Sequence, residues 1–162
     1  MYVLGKSTER LMFAECAVAT VGDMTFQSAS DAFLSALLTR DFGRFAECLA
    51  PAAQARMLLP RGPEVRSGPE EIARRFEGWF ARTSDFVVLD SHLVQVGPRN
   101  RLSWRFRLSR DGLSHEVIEQ VAFVSVGPEG ISEIDLLCSG FHQEADAVAS
   151  CPVDAATSHS PR

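Results

Sequence analysis

Lysine is nearly missing from this chain: Lys6 is the only one of its 16 basic residues that is not arginine. Chemistry that runs through a lysine amine, Schiff-base and pyridoxal reactions above all, is excluded from the folded part. The four cysteines, Cys16, Cys48, Cys138 and Cys151, show neither C-x-x-C spacing nor the density of a disulfide-stapled secreted domain, which points to reduced thiols and a cytoplasmic setting. His92, His115, His142 and His159 have no H-x-x-x-H or similar ligand spacing, so no metal site is expected. Neither a G-x-G-x-x-G fingerprint nor a P-loop is present, and no cofactor is expected. The net charge is −5 and the basic residues form no dense block, which argues against nucleic acid as a partner. The apolar run from Leu11 to Val21 is broken by Glu15 and comes after Glu9 and Arg10, unlike an export signal or a membrane span.

What is present is ordinary globular composition, 46% hydrophobic and 23% charged over 162 residues, enough for one core. Residues 1–27 read as an N-terminal extension, 28–142 as the domain, and 143–162, rich in Ala, Ser, Asp and Pro, as a flexible tail. Ser28 or Ser30 can cap a helix carrying Phe33, Leu34, Leu37 and Leu38 at helical spacing. A second short helix carries Phe42, Phe45, Ala46 and Leu49, with Pro51 beyond its end, and Arg56 to Leu59 makes a brief strand. After the turn at Pro60-Arg61-Gly62-Pro63, Ser67-Gly68-Pro69-Glu70-Glu71 starts a third helix with Ile72, Phe76, Trp79 and Phe80 on its apolar stripe. Four strand segments come next, at about 86–96, 101–109, 115–126 and 131–141, joined by hairpin-type turns. The resulting order, α-α-β-α-β-β-β-β, suits an α+β fold with helices packed on a curved, mostly antiparallel sheet.

Asp41-Phe42, Leu58-Leu59-Pro60, the run from Arg66 to Phe76, Glu119-Gln120-Val121 and Gly130-Ile131 together resemble SnoaL-like members of the NTF2-like superfamily, over roughly residues 28 to 142. The resemblance implies a cone with three N-terminal helices, a pocket for a small organic molecule, and pairing of two copies through the outer sheet face. It also permits a residue-by-residue comparison. Where ketosteroid isomerases of that superfamily carry a tyrosine, a catalytic aspartate and a second acid, this chain has Phe33, Leu59 and Val121, and its only tyrosine is Tyr2. Isomerase chemistry of that kind is therefore not supported. The histidine of SnoaL-type cyclases falls on Val121 or Ala122 and their aspartate on Leu136, with Asp135 one residue away.

Strand parity supplies the remaining candidates. Phe86, Val88, Asp90, His92, Val94 and Val96 share one parity, an apolar face interrupted by two ionisable groups. His92 is the candidate proton carrier and Asp90 its partner; a bulge near Ser91 that turns both into solvent is the competing reading. Glu119, on the parity of Val117, Val121 and Phe123, and Asp135 are candidate second acids, with a cross-strand pairing of Glu119 to Arg105 or Arg107 as the alternative. Phe33, Leu59, Phe76, Trp79, Trp104, Phe106, Val121, Phe123 and Leu136 are the expected pocket lining. These residues point to a cofactor-free acid–base enzyme of the cyclase, isomerase or epoxide-opening type acting on a small apolar metabolite. A non-catalytic binding or dimerisation module of the same fold is the alternative.

Overall fold

The computed structural model describes residues 21–110 and 112–144; the expected N-terminal extension, up to residue 20, and the expected tail beyond residue 144 lie outside the described residues. Helix α1 spans Val21–Thr39, so it begins ahead of the expected caps Ser28 and Ser30, which lie within it, and Arg40 closes it in the left-handed region at φ 58°. Arginine is held in that disfavoured conformation by its head group, which donates to Thr83 Oγ1 at 2.8 Å and lies over the Phe86 ring at 4.8 Å. Asp41 then caps α2, Phe42–Glu47, by accepting from Arg44 N at 3.0 Å. Two strands, β1 (Leu49–Leu59) and β2 (Gly62–Ser67), form a hairpin through Pro60-Arg61. Here β1 is longer than the brief strand expected, and β2 is an additional strand. Prolines at 51 and 63 mask both in the sequence, but neither breaks an inner ladder: β2 is the sheet edge and β1 shifts register near its start.

Helix α3, Pro69–Phe80, begins with Gly68 rather than Ser67 at the cap position, Pro69 in the first turn and Glu70 and Glu71 against the positive helix end. Strands β3 (Asp85–Val96), β4 (Arg99–Ser109), β5 (Glu116–Gly127) and β6 (Gly130–Gln143) complete the chain. The order across the six-stranded sheet is β2-β1-β6-β5-β4-β3, antiparallel except where β1 runs parallel to β6. That parallel joint fixes Gly130, whose φ is 116°: a Cβ there would stand 2.7 Å from the Cys48 carbonyl oxygen, which Ile131 N also binds.

The sheet curves without closing, and the helices fill its concave side. Phe33, Phe45, Phe76, Phe80, Trp104 and Phe106 are all but inaccessible to solvent. Their rings form a continuous chain, with Phe33–Phe45 at 4.3 Å, Phe45–Phe76 at 4.8 Å and Phe80–Phe106 at 5.3 Å between centroids. Each contributes roughly 1.5–3 kcal/mol by burial, so this aromatic spine is the main cohesive element of the domain. Among the described residues no helix is long and apolar enough to cross a membrane.

Candidate functional site

Two bulges decide which side chains reach the interior. In β3, Val88 pairs with Phe106 but Asp90 pairs with Arg105, leaving Leu89 as an extra residue. The parity of β3 therefore reverses: Phe86 and Val88 lie on the side of Leu108 and Phe106, whereas beyond the bulge Ser91 and Leu93 pair with the inward Trp104 and Leu102. Asp90 and His92 go with Arg105 and Ser103 to the convex face. They do meet, with His92 Nε2 2.9 Å from Asp90 Oδ1, but their side chains are 63% and 57% exposed, His92 the more so. The expectation that they face an apolar pocket is corrected by that inserted residue.

Glu119 is likewise exposed, because β5 turns Ile118, Gln120, Ala122 and Val124 inward and Glu119, Val121 and Phe123 outward. It stands across from Arg105, the cross-strand position of the alternative pairing. Val121 and Phe123 share the outer side with Glu119, so they are corrected from pocket lining to convex surface. Asp135 is also outward. Arg56 Nε donates to it at 2.6 Å and Arg99 Nη1 at 2.7 Å, while Arg99 Nη2 ties the pair to the Phe123 carbonyl at 2.6 Å. The hydrogen bond from Arg56 holds the Asp135 carboxyl below the usual carboxylate range; partial burial opposes this, and Arg99 adds to it.

Of the other expected lining residues, Phe33, Phe76, Trp104, Phe106 and Leu136 point inward but are consumed by the packed core. Leu59 and Trp79 reach the main open space. They line a cleft of about 690 Å³ between the β1–β2 hairpin, α3 and the far end of β6. A bulge on β6 shapes it: Ile118 pairs with Phe141 and Gln120 with Cys138, so Ser139 and Gly140 together oppose Glu119. Gly140 takes φ 84°, and a Cβ there would come within 2.7 Å of Pro60 Cγ, which pins β6 against the hairpin turn.

The floor of the cleft is formed by Leu59, Trp79, Cys138 and Phe141, and its rim carries Glu64, Arg75, Glu116 and His142. Both rim carboxylates are already engaged. Arg75 Nη2 donates to Glu64 at 2.8 Å, with its guanidinium 4.6 Å above the Trp79 ring, and Arg66 lies 2.9 Å from the same carboxylate. Glu116 is paired with Arg110, which in turn covers Phe141 at 4.2 Å. His142 Nε2 bonds the Ser139 carbonyl at 2.8 Å. Among the described residues, the buried polar side chains of the whole fold are those of Ser30, Asn100, Ser109 and Gln120, none of them ionisable.

This cleft is not legible in the sequence. Glu64 is hidden because β2 has no recognisable strand pattern, and Cys138 and Phe141 share a side only because of the Ser139-Gly140 bulge. The Gly140 in Cys138-Ser139-Gly140-Phe141 is the available signal.

A curved sheet of this order, packed on helices, has many solved counterparts. An NTF2-like protein from Burkholderia xenovorans superposes with a TM-score of 0.55 at 11% identity, over 71% of this chain and 89% of its own. A candidate SnoaL-like polyketide cyclase from Shewanella denitrificans gives 0.55 at 13% identity, over 70% and 90%. The fold is NTF2-like. An LEH-like epoxide hydrolase from M. tuberculosis shares it at a TM-score of 0.52 and 19% identity, over 68% of this chain and 80% of its own. No family model and no curated protein matches the sequence. Identities this low carry the NTF2-like architecture and leave the chemistry to the residues themselves.

Proposed function

We propose that this NTF2-like chain binds a small, neutral, largely apolar organic molecule in the cleft between the β1–β2 hairpin, α3 and the far end of β6. The observation that supports it is the pairing of an apolar floor with a rim whose carboxylates are neutralised by arginine, beside a core that, among the described residues, buries no charged side chain. A charged ligand would shed its hydration there without a free counter-charge. Cofactor-free acid–base turnover of the cyclase, isomerase or epoxide-opening type is the second reading, favoured by His142 and Glu116 standing on the same rim. Binding is preferred because neither group is free of a partner.

A thermal-shift screen of neutral lipophilic metabolites tests the reading. A ligand at a hundredfold excess over its Kd stabilises by about 2.7 kcal/mol, or about 5 to 10 °C for a chain of this size. The shift should vanish in Leu59→Asp, which puts a carboxylate into the floor. Hits that bind Leu59→Asp as well as the wild type would place the ligand elsewhere.

The convex face suits a second copy of the chain. Leu58, Val65 and Leu137 stand more than half exposed beside Phe123, around the Arg56–Asp135 pair. Pairing there would cover this apolar strip and leave the cleft, on the other side of the sheet, accessible.

A further inference from the structure

Two rows of side chains meet between β2 and α3. Gly62, Glu64 and Arg66 share the half-buried parity of β2, and Glu71, Arg75 and Trp79 recur every four residues along one face of α3. Gly62 and Trp79 line the cleft, Arg66 and Glu71 line a second cavity of about 310 Å³, and Glu64 and Arg75 join across the gap between these two ends. Arg75 lines both cavities. Its guanidinium is gripped from two directions. Nη2 donates to Glu64 Oε2 at 2.8 Å and Nε lies 2.7 Å from Oε1, while the Trp79 ring lies 4.6 Å beneath. Arg66 stands 2.9 Å from the same carboxylate. With side chains 31% and 20% exposed, Arg75 and Glu64 are shielded from water more than an ordinary surface pair, and a bidentate, ring-stacked guanidinium is hard to displace.

We propose that the Glu64–Arg75 pair is a bar that ends the cleft and sets the length of the molecule it accepts, so that the ligand class is compact, ring-sized neutral compounds rather than long-chain ones. This rests on the cleft being the binding site. An apolar chain that passed the bar would have to break charge-assisted hydrogen bonds that its methylenes cannot replace. Arg75 is thus a specificity-determining residue, with Glu64 and Trp79 holding it in place. From Arg75 back to Glu71 is one helical turn, about 5.4 Å, room for about four methylenes once the bar is removed.

Straight-chain methyl ketones from 2-pentanone to 2-dodecanone, titrated into the full chain and followed by NMR, test the bar. In the wild type, affinity should rise about three- to fourfold per methylene while the chain is being buried, and stop rising at a fixed length. In Arg75→Ala, where Arg66 still faces Glu64, that length should increase by about four carbons. The Trp79 and Gly140 amide signals should move with every ketone, and those of Arg66 and Glu71 only in the variant. Should the variant fail to fold, the wild type decides alone: Arg66 and Glu71 unmoved by the longest ketones support the bar, and their movement overturns it. Affinity that rises without limit in the wild type, or stops at the same length in both proteins, would overturn the bar and leave the cleft standing. 1-Tetralone, which has no chain to cross the pair, reports on the cleft alone. If neither it nor any ketone moves Trp79 and Gly140, both readings fall.

Discussion

A single inserted residue, Leu89, separates a catalytic dyad from an exposed surface contact in this chain. Val87-Val88-Leu89 offers no alternation to fix parity, so the sequence supports either face for the rest of the strand, and hydrogen bonding to β4 selects the outer one for Asp90 and His92. An exposed pair of this kind contributes at most about 1 kcal/mol. His92→Ala and Asp90→Asn are therefore expected to change stability by less than that and to leave ligand binding untouched, as urea titration and calorimetry would report. Gly130→Ala should behave in the opposite way: with φ at 116° and the Cys48 carbonyl 2.7 Å from the new Cβ, it should cost more than about 1 kcal/mol in the same titration. The residue types of the true cleft are visible in the sequence, Leu59 and Trp79 among them, but their convergence with Cys138 and Phe141 depends on a bulge that pairing, not composition, creates.

At the scale of elements helix α3 is legible in the sequence, whereas the start of α1, the end of α2 and the hairpin β1–β2 are not. Helix α3 is announced by Pro69, two leading acids and a clear apolar stripe, each a local signal; Leu49, at helical spacing from Phe42 and Phe45, belongs instead to β1. Strand β2 alternates half-buried with exposed residues at a sheet edge, and Glu64 on it pairs with Arg75 of α3, so its pattern contains no apolar face to read. The strands are also joined by charge. Asp135 on β6 receives Arg56 from β1 and Arg99 from the start of β4, and its carboxyl is held below the ordinary aspartate range. A folded-state pKa below the unfolded value, about 3.9, means that the unfolded chain takes up the proton first as pH falls. The contribution is thus fully present above about pH 4 and is lost as pH drops through the folded-state value. Asp135→Asn should flatten the acid limb of the stability curve below pH 4. At neutral pH it should cost less than about 1 kcal/mol, since the group is partly open to solvent and salt.

At the scale of the whole fold, the helices pack a solid core into the curved sheet and a cleft lies between the β1–β2 hairpin, α3 and the far end of β6. Aromatic packing occupies the volume in which the sequence places a catalytic pocket, and the outward turn of Asp90, His92, Glu119 and Asp135 gives the convex face its charge pattern. That face has a testable role: if it pairs two copies, Leu137→Glu should shift the sedimentation coefficient to that of a monomer at micromolar concentration without abolishing ligand binding. The central claim, that small molecules enter at the cleft and not at the Asp90–His92 contact on β3, is tested most directly by mapping backbone and side-chain amide shifts during titration with 1-tetralone. Movement is expected at Gly62, Trp79 and Gly140, with Asp90, His92 and Glu119 stationary. Shifts centred on Asp90 and His92, with the cleft residues unmoved, would contradict it.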